Sequence, residues 1–332
     1  MKRELLFLLL IAACGEDDSS TPRPSTPSRD SGSDTGETSD SGGTTDSSTP
    51  NDAGSDAPIV YPDPLQGTTK TATKVVGNFS FTEGPVWIGG RLLFSDIPNN
   101  VIQELLSDGG VSPFRTGTNG ANGLAVDAMG RLWACQGGNK RVTRQAGTKG
   151  AQVNDVTTTY NAAQYNAPND VIVRKDGNAY FTDPNYSGQP DTQDARAVYR
   201  ISEADQVTRL AGTFDQPNGI ALSPDETTLY VVNNGTGKLV SATVNPDGTV
   251  GAFGPLADTP GGDGMGVDDA GNLYVTGTPG VLVFDKTGKS LGTITVAEQP
   301  ANCTFGGPQR KTLYITARTS LYQIELNVPG LP

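Results

Sequence analysis

Apolar residues in this chain come in short runs separated by polar turns. LAV at 124–126, VIV at 171–173, IAL at 220–222, LYVV at 229–232, LYVT at 273–276 and LYITA at 313–317 are β-branched or aromatic. A helix would need apolar residues at 3.6 spacing over ten or more positions, and these runs are too brief. They predict strands. DAMGR, RKDGN, PDET and DDAGN lie between paired runs, and their Gly, Asp and Asn residues suit hairpin bends.

The pairs recur. EGPVWIGGRLLFSD starts at Glu83, NGLAVDAMGRLWAC at Asn122, NDVIVRKDGNAYFTD at Asn169, NGIALSPDETTLYVVN at Asn218, DGMGVDDAGNLYVTG at Asp263 and NCTFGGPQRKTLYITA at Asn302. Each copy is a polar residue, a strand, a tight turn and a second strand. The starts fall roughly 40–50 residues apart, the period of a β-propeller blade. Six copies predict an all-β fold, a six-bladed β-propeller with four-stranded antiparallel blades around a central metal-binding channel. Further strands are predicted at 320–326 and 73–79. The last blade is expected to take its outer strand from the N-terminal one, which closes the ring and leaves only short edges. Residues 67–332 are assigned to this one domain, ample for a large core.

The copies open on Glu83, Asn122, Asn169, Asn218, Asp263 and Asn302. Each offers an oxygen donor, and the hairpin turn already lies at the other end of the strand. Turn chemistry therefore does not explain them as a set. The first strand of a propeller blade lines the axis, and a regular repeat places equivalent residues equivalently. The six are predicted to converge at one mouth of the channel.

Composition narrows what such a site can do. The chain has no His, which removes Ser-His-Asp and Cys-His catalysis and His-ligated zinc or iron. Its three Cys form no metal-spaced cluster. Cys135 and Cys303 fall in strands of different blades, as two buried thiols or as one disulfide. Carboxylate and amide oxygens remain, and these select hard cations. Ca²⁺ tolerates irregular cages of six to eight oxygens better than Mg²⁺ does, with Mn²⁺ and Zn²⁺ as further candidates. Glu83 and Asp263 would balance the ion's charge.

Residues 1–13, with Lys2 and Arg3 before an apolar run too short to span a bilayer, read as a signal peptide. The run ends IAAC, which resembles a bacterial lipobox and predicts lipidation of Cys14. Residues 14–66 are assigned to the lipidated N-terminus and a tether. The stretch 15–57 is Ser, Thr, Asp, Gly and Pro with almost no large apolar residue, so it is expected to stay unfolded. The formal net charge is −12, and the tether's ten acidic residues against Arg23 and Arg29 supply most of it. No basic stripe points to nucleic acid. The expected placement is the bacterial cell envelope, with the lipid in the outer membrane and the domain in the periplasm or at the surface, as a monomer.

EGPVW, ANGLAVDAMGRLWAC, APNDVIVRKDGNAYFTDP, QPNGIALSPDETTLYVVNN, DGMGVDDAGNLYVT and NCTFGGPQRKTLYITA, in this order over about 67–326, resemble the senescence marker protein/regucalcin/gluconolactonase family of six-bladed propellers, close to its bacterial gluconolactonase branch. The resemblance implies a lactone hydrolase whose metal polarises the lactone carbonyl while a carboxylate activates water. It implies Glu83, Asn218 and Asp263 as metal ligands, with Asn169 joining them or holding substrate. Asp263 is the implied proton acceptor and donor, Asp170 the second choice, and Asn122 a substrate contact. Asp183 in FTDP reads as a structural turn before Pro184. Relatives commonly carry Glu-His where this chain has Gln136-Gly137, which removes a titratable pair near the mouth. A non-catalytic propeller that binds a ligand or partner around a structural calcium is the competing expectation. Strictosidine-synthase-like condensation needs no such ion, and the intact oxygen set argues against it.

Overall fold

A computed structural model describes residues 59–331. The predicted signal peptide, Cys14 and most of the predicted tether lie outside the described residues. Within them, six four-stranded antiparallel sheets follow one another along the chain. Their innermost strands are Thr82–Ile88, Ala121–Val126, Val171–Val173, Pro217–Leu222, Met265–Val267 and Pro300–Gly306. Each packs beside the innermost strand of the next sheet, and the sixth packs beside the first, so the ring closes. This is the six-bladed propeller that the repeat predicted.

Ring closure uses the expected swap. Thr73–Gly77 is the outer strand of the sixth blade and pairs antiparallel with Ser320–Glu325, from Thr73 opposite Gln323 to Gly77 opposite Ser320. The chain ahead of this strand is also engaged: Leu65 is 1% exposed and packs on blades five and six. Asn327 Nδ2 holds Asp63 O at 2.9 Å and Gln66 O at 2.7 Å.

The core lies in the seams. Apolar residues form six buried clusters, one between each pair of successive blades. Trp133, Cys135 and Val142 of blade two meet Val171, Phe181 and Tyr199 of blade three, for example. Leu92 and Phe94 of blade one meet Tyr314 and Leu321 of blade six. Both faces of each sheet are thus covered, as strands apolar on both sides require. Cys135 and Cys303 are free, buried thiols in different seams, so the two-thiol alternative holds. Burial pushes both thiols up, away from reactivity.

A chain beginning at residue 80 lacks the closing strand and leaves the Ser320–Glu325 edge unpaired. Its melting midpoint is expected to fall by roughly 10 °C or more relative to a chain beginning at 59, because each kcal/mol shifts a domain of this size by about 2–4 °C. Calorimetry of the two proteins checks this; equal midpoints would refute the role given to the swap.

Candidate functional site

The six opening residues stand at one end of the inner strands, and four of those strands carry an irregularity there. Pairing with the second strand slips between Glu83 and Val86, Ala121 and Leu124, Pro217 and Ile220, and Pro300 and Asn302. A bulge of this kind inserts a residue and re-aims side chains. Neighbouring blades meet at the same level. Gly123 N donates to Asn169 O at 2.8 Å, Gly219 N to Asp263 O at 2.8 Å and Gly264 N to Ala301 O at 2.7 Å. Hydroxyls from the second strands add to the ring, with Ser95 Oγ donating to Asn122 O at 2.7 Å and Thr182 Oγ1 to Asn218 O at 2.8 Å.

This close approach explains the glycine that follows four of the six oxygen donors. A Cβ on Gly84 would lie 1.9 Å from Asn122 O, and its φ of +46° is itself unfavourable for other residues. A Cβ on Gly123 would lie 2.2 Å from Asp170 Oδ1. EG, NG, NG and DG are therefore one steric pattern.

Glu83, Asn169, Asn218 and Asn302 are buried at this level, while Asn122 and Asp263 are partly open. The carboxylates sense one another. Burial raises Glu83 well above the usual carboxylate range, and the charges of Asp263 and Asp170 add to the rise. Burial and Asp170 likewise raise Asp263, against Asn218 and the more distant Arg318. Burial pushes Asp170 up to about 7, although Val171 N donates to its Oδ1 at 2.9 Å and Asn302 Nδ2 approaches its Oδ2 at 3.4 Å. Asn122 Oδ1 and Asn218 Oδ1 are buried and have no hydrogen-bond partner. An orphaned acceptor costs about 1–3 kcal/mol, so two beside mutually repelling carboxylates call for something positive. Among the described residues, no three Asp, Glu, His or Cys side chains are arranged to hold a metal by themselves. A cation here would draw on amide oxygens as well; the orphaned oxygen of Asn218 fits that need, and that of Asn122 fits a donor group beside the ion.

Asp170 occupies a different depth. With Asn302 it borders a cavity of about 310 Å³ inside the ring, lined by Leu124, Val171, Ile220 and Met265 and extending to the hairpin residues at the far ends of the inner strands. It sits at the floor beneath the mouth.

Three positioning groups escaped the sequence reading or were only half seen. Asp96 Oδ1 accepts from Ser80 N at 3.1 Å and Phe81 N at 3.2 Å. Asp183, fully buried, accepts from Asn166 N at 2.9 Å and Ala167 N at 2.7 Å. Asn233 Oδ1 accepts from Asp215 N at 2.8 Å. Ser80, Asn166 and Asp215 each lie three residues ahead of a predicted ligand: Glu83, Asn169 and Asn218. The residue closing the second strand thus clamps the segment leading into the first. The signal was a polar residue at one place in the repeat, in FSD, FTD and VVN.

A further group comes from outside the repeat. Tyr186 lies in the 184–196 connection of blade three, where blades one, two, four and five use four residues. Its hydroxyl accepts from Asn218 Nδ2 at 2.9 Å. The long interval from Asn169 to Asn218 was its only trace in the sequence. Gln136, in place of the acidic residue common in relatives, is committed elsewhere, with Arg141 Nε donating to its Oε1 at 2.5 Å.

Comparison with known proteins agrees with the fold. Residues 81–319 match the SMP-30/Gluconolactonase/LRE-like region. A gluconolactonase of Zymomonas mobilis is 30% identical over 77% of this chain and 81% of its own length. A solved gluconolactonase from Xanthomonas campestris is 31% identical with a TM-score of 0.72, covering 80% of this chain and 91% of that one. Regucalcin from Agrobacterium tumefaciens, a calcium-binding protein, shares the fold at 19% identity and a TM-score of 0.69, over 79% of this chain and 95% of that one.

The raised carboxyl groups set a pH dependence. A carboxyl whose folded pKa exceeds its unfolded value near 4 binds its proton more tightly when folded. Its contribution is fully present below pH ~4 and is lost as pH rises through about 7, the value reached by Asp170. In chelator, the melting midpoint is expected to fall between pH 5 and 8. Millimolar Ca²⁺ should flatten that fall by binding the folded state. Scanning calorimetry across this range tests both, and a midpoint insensitive to pH and to Ca²⁺ would contradict the electrostatic picture.

Proposed function

The chain belongs to the SMP-30/gluconolactonase/LRE-like family, and from that premise we propose that it hydrolyses a lactone at the channel mouth with a divalent cation, Ca²⁺ by the chemistry of its donors. The observation that carries this reading is the orphaned Asn218 Oδ1 beside the crowded carboxylates. Glu83, Asn169, Asn218 and Asp263 would hold the ion, and Asn122 faces the substrate with Asn169. When bound, the cation supplies Lewis-acid polarisation of the lactone carbonyl and stabilises the developing oxyanion.

The protein's own groups handle the proton. Asp263 is partly open to solvent, so it can meet a water molecule at the mouth. It takes the proton as the water oxygen bonds to the carbonyl carbon. It then returns that proton to the ring oxygen as the acyl C–O bond breaks. Asp170 lies deeper and is held by Val171 N and Asn302, which makes it the second acceptor. The clamps at Asp96, Asp183 and Asn233 keep three of the four ligands in place, which preserves the preorganisation that electrostatic stabilisation needs. In the same reading, lipid on Cys14 and the residues up to 57 tether the domain at the bacterial cell envelope, in the outer membrane, and the substrate is met outside the cytoplasm. IAAC supports that placement.

One observation favours a second reading, a non-catalytic binder with a structural calcium. Gln136 is an amide, already engaged by Arg141, where the family resemblance implies a titratable Glu-His pair. Turnover separates the two readings. A pH-stat screen of sugar and aliphatic lactones is expected to show hydrolysis that EDTA abolishes and Ca²⁺ restores. Glu83→Gln and Asp263→Asn should each lower kcat by about 10²–10³-fold while the far-UV spectrum stays native, the range seen when a transition-state donor or a general base is removed. Undiminished activity in both variants would reject the assignment. A wild-type protein inert toward every lactone would favour the binder.

A further inference from the structure

Tyr186 is held over the mouth by bonds on two sides. Asn185 N donates to Gln216 Oε1 at 2.8 Å, and Gln216 Nε2 donates back to Asn185 O at 2.7 Å. The residue before Tyr186 is therefore fixed to the segment two residues ahead of Asn218. Within the connection, Asn185 Nδ2 donates to Gln189 O at 2.8 Å and to Asp191 Oδ1 at 2.6 Å. Arg196 bridges Asp191 at 3.3 Å and Asp215 at 3.1 Å. On the other flank, Thr192 N donates to Asn166 Oδ1 at 2.8 Å, and Thr192 Oγ1 donates to Tyr165 O at 2.8 Å. The connection is thus docked on both segments that lead into Asn169 and Asn218. A loop made only to join two strands needs none of this; the corresponding links in blades one, two, four and five are four residues long.

The side chain so placed has two faces. Its oxygen accepts from Asn218 Nδ2, which leaves the phenol's own proton free to donate. Tyr186 is nevertheless 49% exposed, so the side chain is open to a partner while its hydroxyl reaches Asn218. An apolar ring carrying a donor at its tip suits a partner with a C–H face and hydroxyl groups. The hydroxyl also stands beside a ligand rather than at the centre of the set. It would meet parts of the lactone away from the reacting carbon.

Resting on the lactonase reading, we infer that Tyr186 is a substrate-contact residue that selects hydroxylated ring lactones over unsubstituted ones, its O–H donating to a substrate hydroxyl and its ring covering the lactone. Nothing in the six-fold repeat predicts this residue. It gives the site a specificity element that is not itself a ligand.

The test uses the purified protein with Ca²⁺ and two substrates, glucono-δ-lactone and δ-valerolactone. Tyr186→Phe keeps the ring and removes the donor. It should lower kcat/KM for gluconolactone about tenfold, chiefly through KM, and change valerolactone less than twofold. Tyr186→Ala removes the ring as well and should weaken both. Equal losses on the two lactones in Tyr186→Phe would overturn the inference, as would no loss on either. The Ca²⁺-induced rise in melting midpoint should be unchanged in Tyr186→Phe, and its loss would show that the phenol acts only through Asn218. Calorimetric binding of D-gluconate keeps the inference separable from the hydrolase reading, because it needs no turnover. If the wild type hydrolyses no lactone yet binds gluconate about tenfold more tightly than Tyr186→Phe does, the hydrolase reading fails and the Tyr186 contact stands. No gluconate binding, or equal binding by the two proteins, sinks the contact.

Discussion

The close approach of successive inner strands at one level of the ring governs the rest of the molecule. Backbone bonds such as Gly123 N to Asn169 O and Gly219 N to Asp263 O join neighbouring blades where each strand bulges. They leave no room for a side chain at Gly84 or Gly123, and they aim the preceding residue at the axis. Burial of the seams supplies the driving force for this approach, since each cluster contains residues from two blades. Packing between blades and placement of the site are one constraint.

That placement is electrostatically unfavourable by itself. Among the described residues, three carboxylates, Glu83, Asp170 and Asp263, are gathered with Arg318 as the one cation acting on them, and two amide oxygens are left unbonded. Burying charge without compensation is costly, and structures keep such arrangements where function requires them. In the proposed reading a hard cation would relieve the repulsion and engage the orphaned Asn218 oxygen. The two candidate proton acceptors of that reading, Asp263 and Asp170, both belong to this crowded group.

What the sequence made legible is what the repeat wrote six times. The six blades, the strand swap and the shared level of Glu83, Asn122, Asn169, Asn218, Asp263 and Asn302 all follow from one register. The cause of the glycine after Glu83, Asn122, Asn218 and Asp263 is a neighbouring blade, which no single repeat contains. Asp96 and Asn233 act at a distance of 15 to 18 residues on the segments they clamp, so only Asp183, beside a proline, stood out in the sequence. Tyr186 belongs to one blade alone and left only a lengthened interval. Sequence could not choose between thiols and a disulfide for Cys135 and Cys303, because seam membership, set by ring order, decides it.

The account stands on side chains from distant parts of the chain forming one cation cage. Titration of Ca²⁺ into EDTA-stripped protein, read by calorimetry, addresses that most directly. One ion per chain is predicted, with binding abolished in the Glu83→Gln, Asp263→Asn double variant. Absence of binding at millimolar Ca²⁺, or binding that the double variant leaves intact, would contradict the cage.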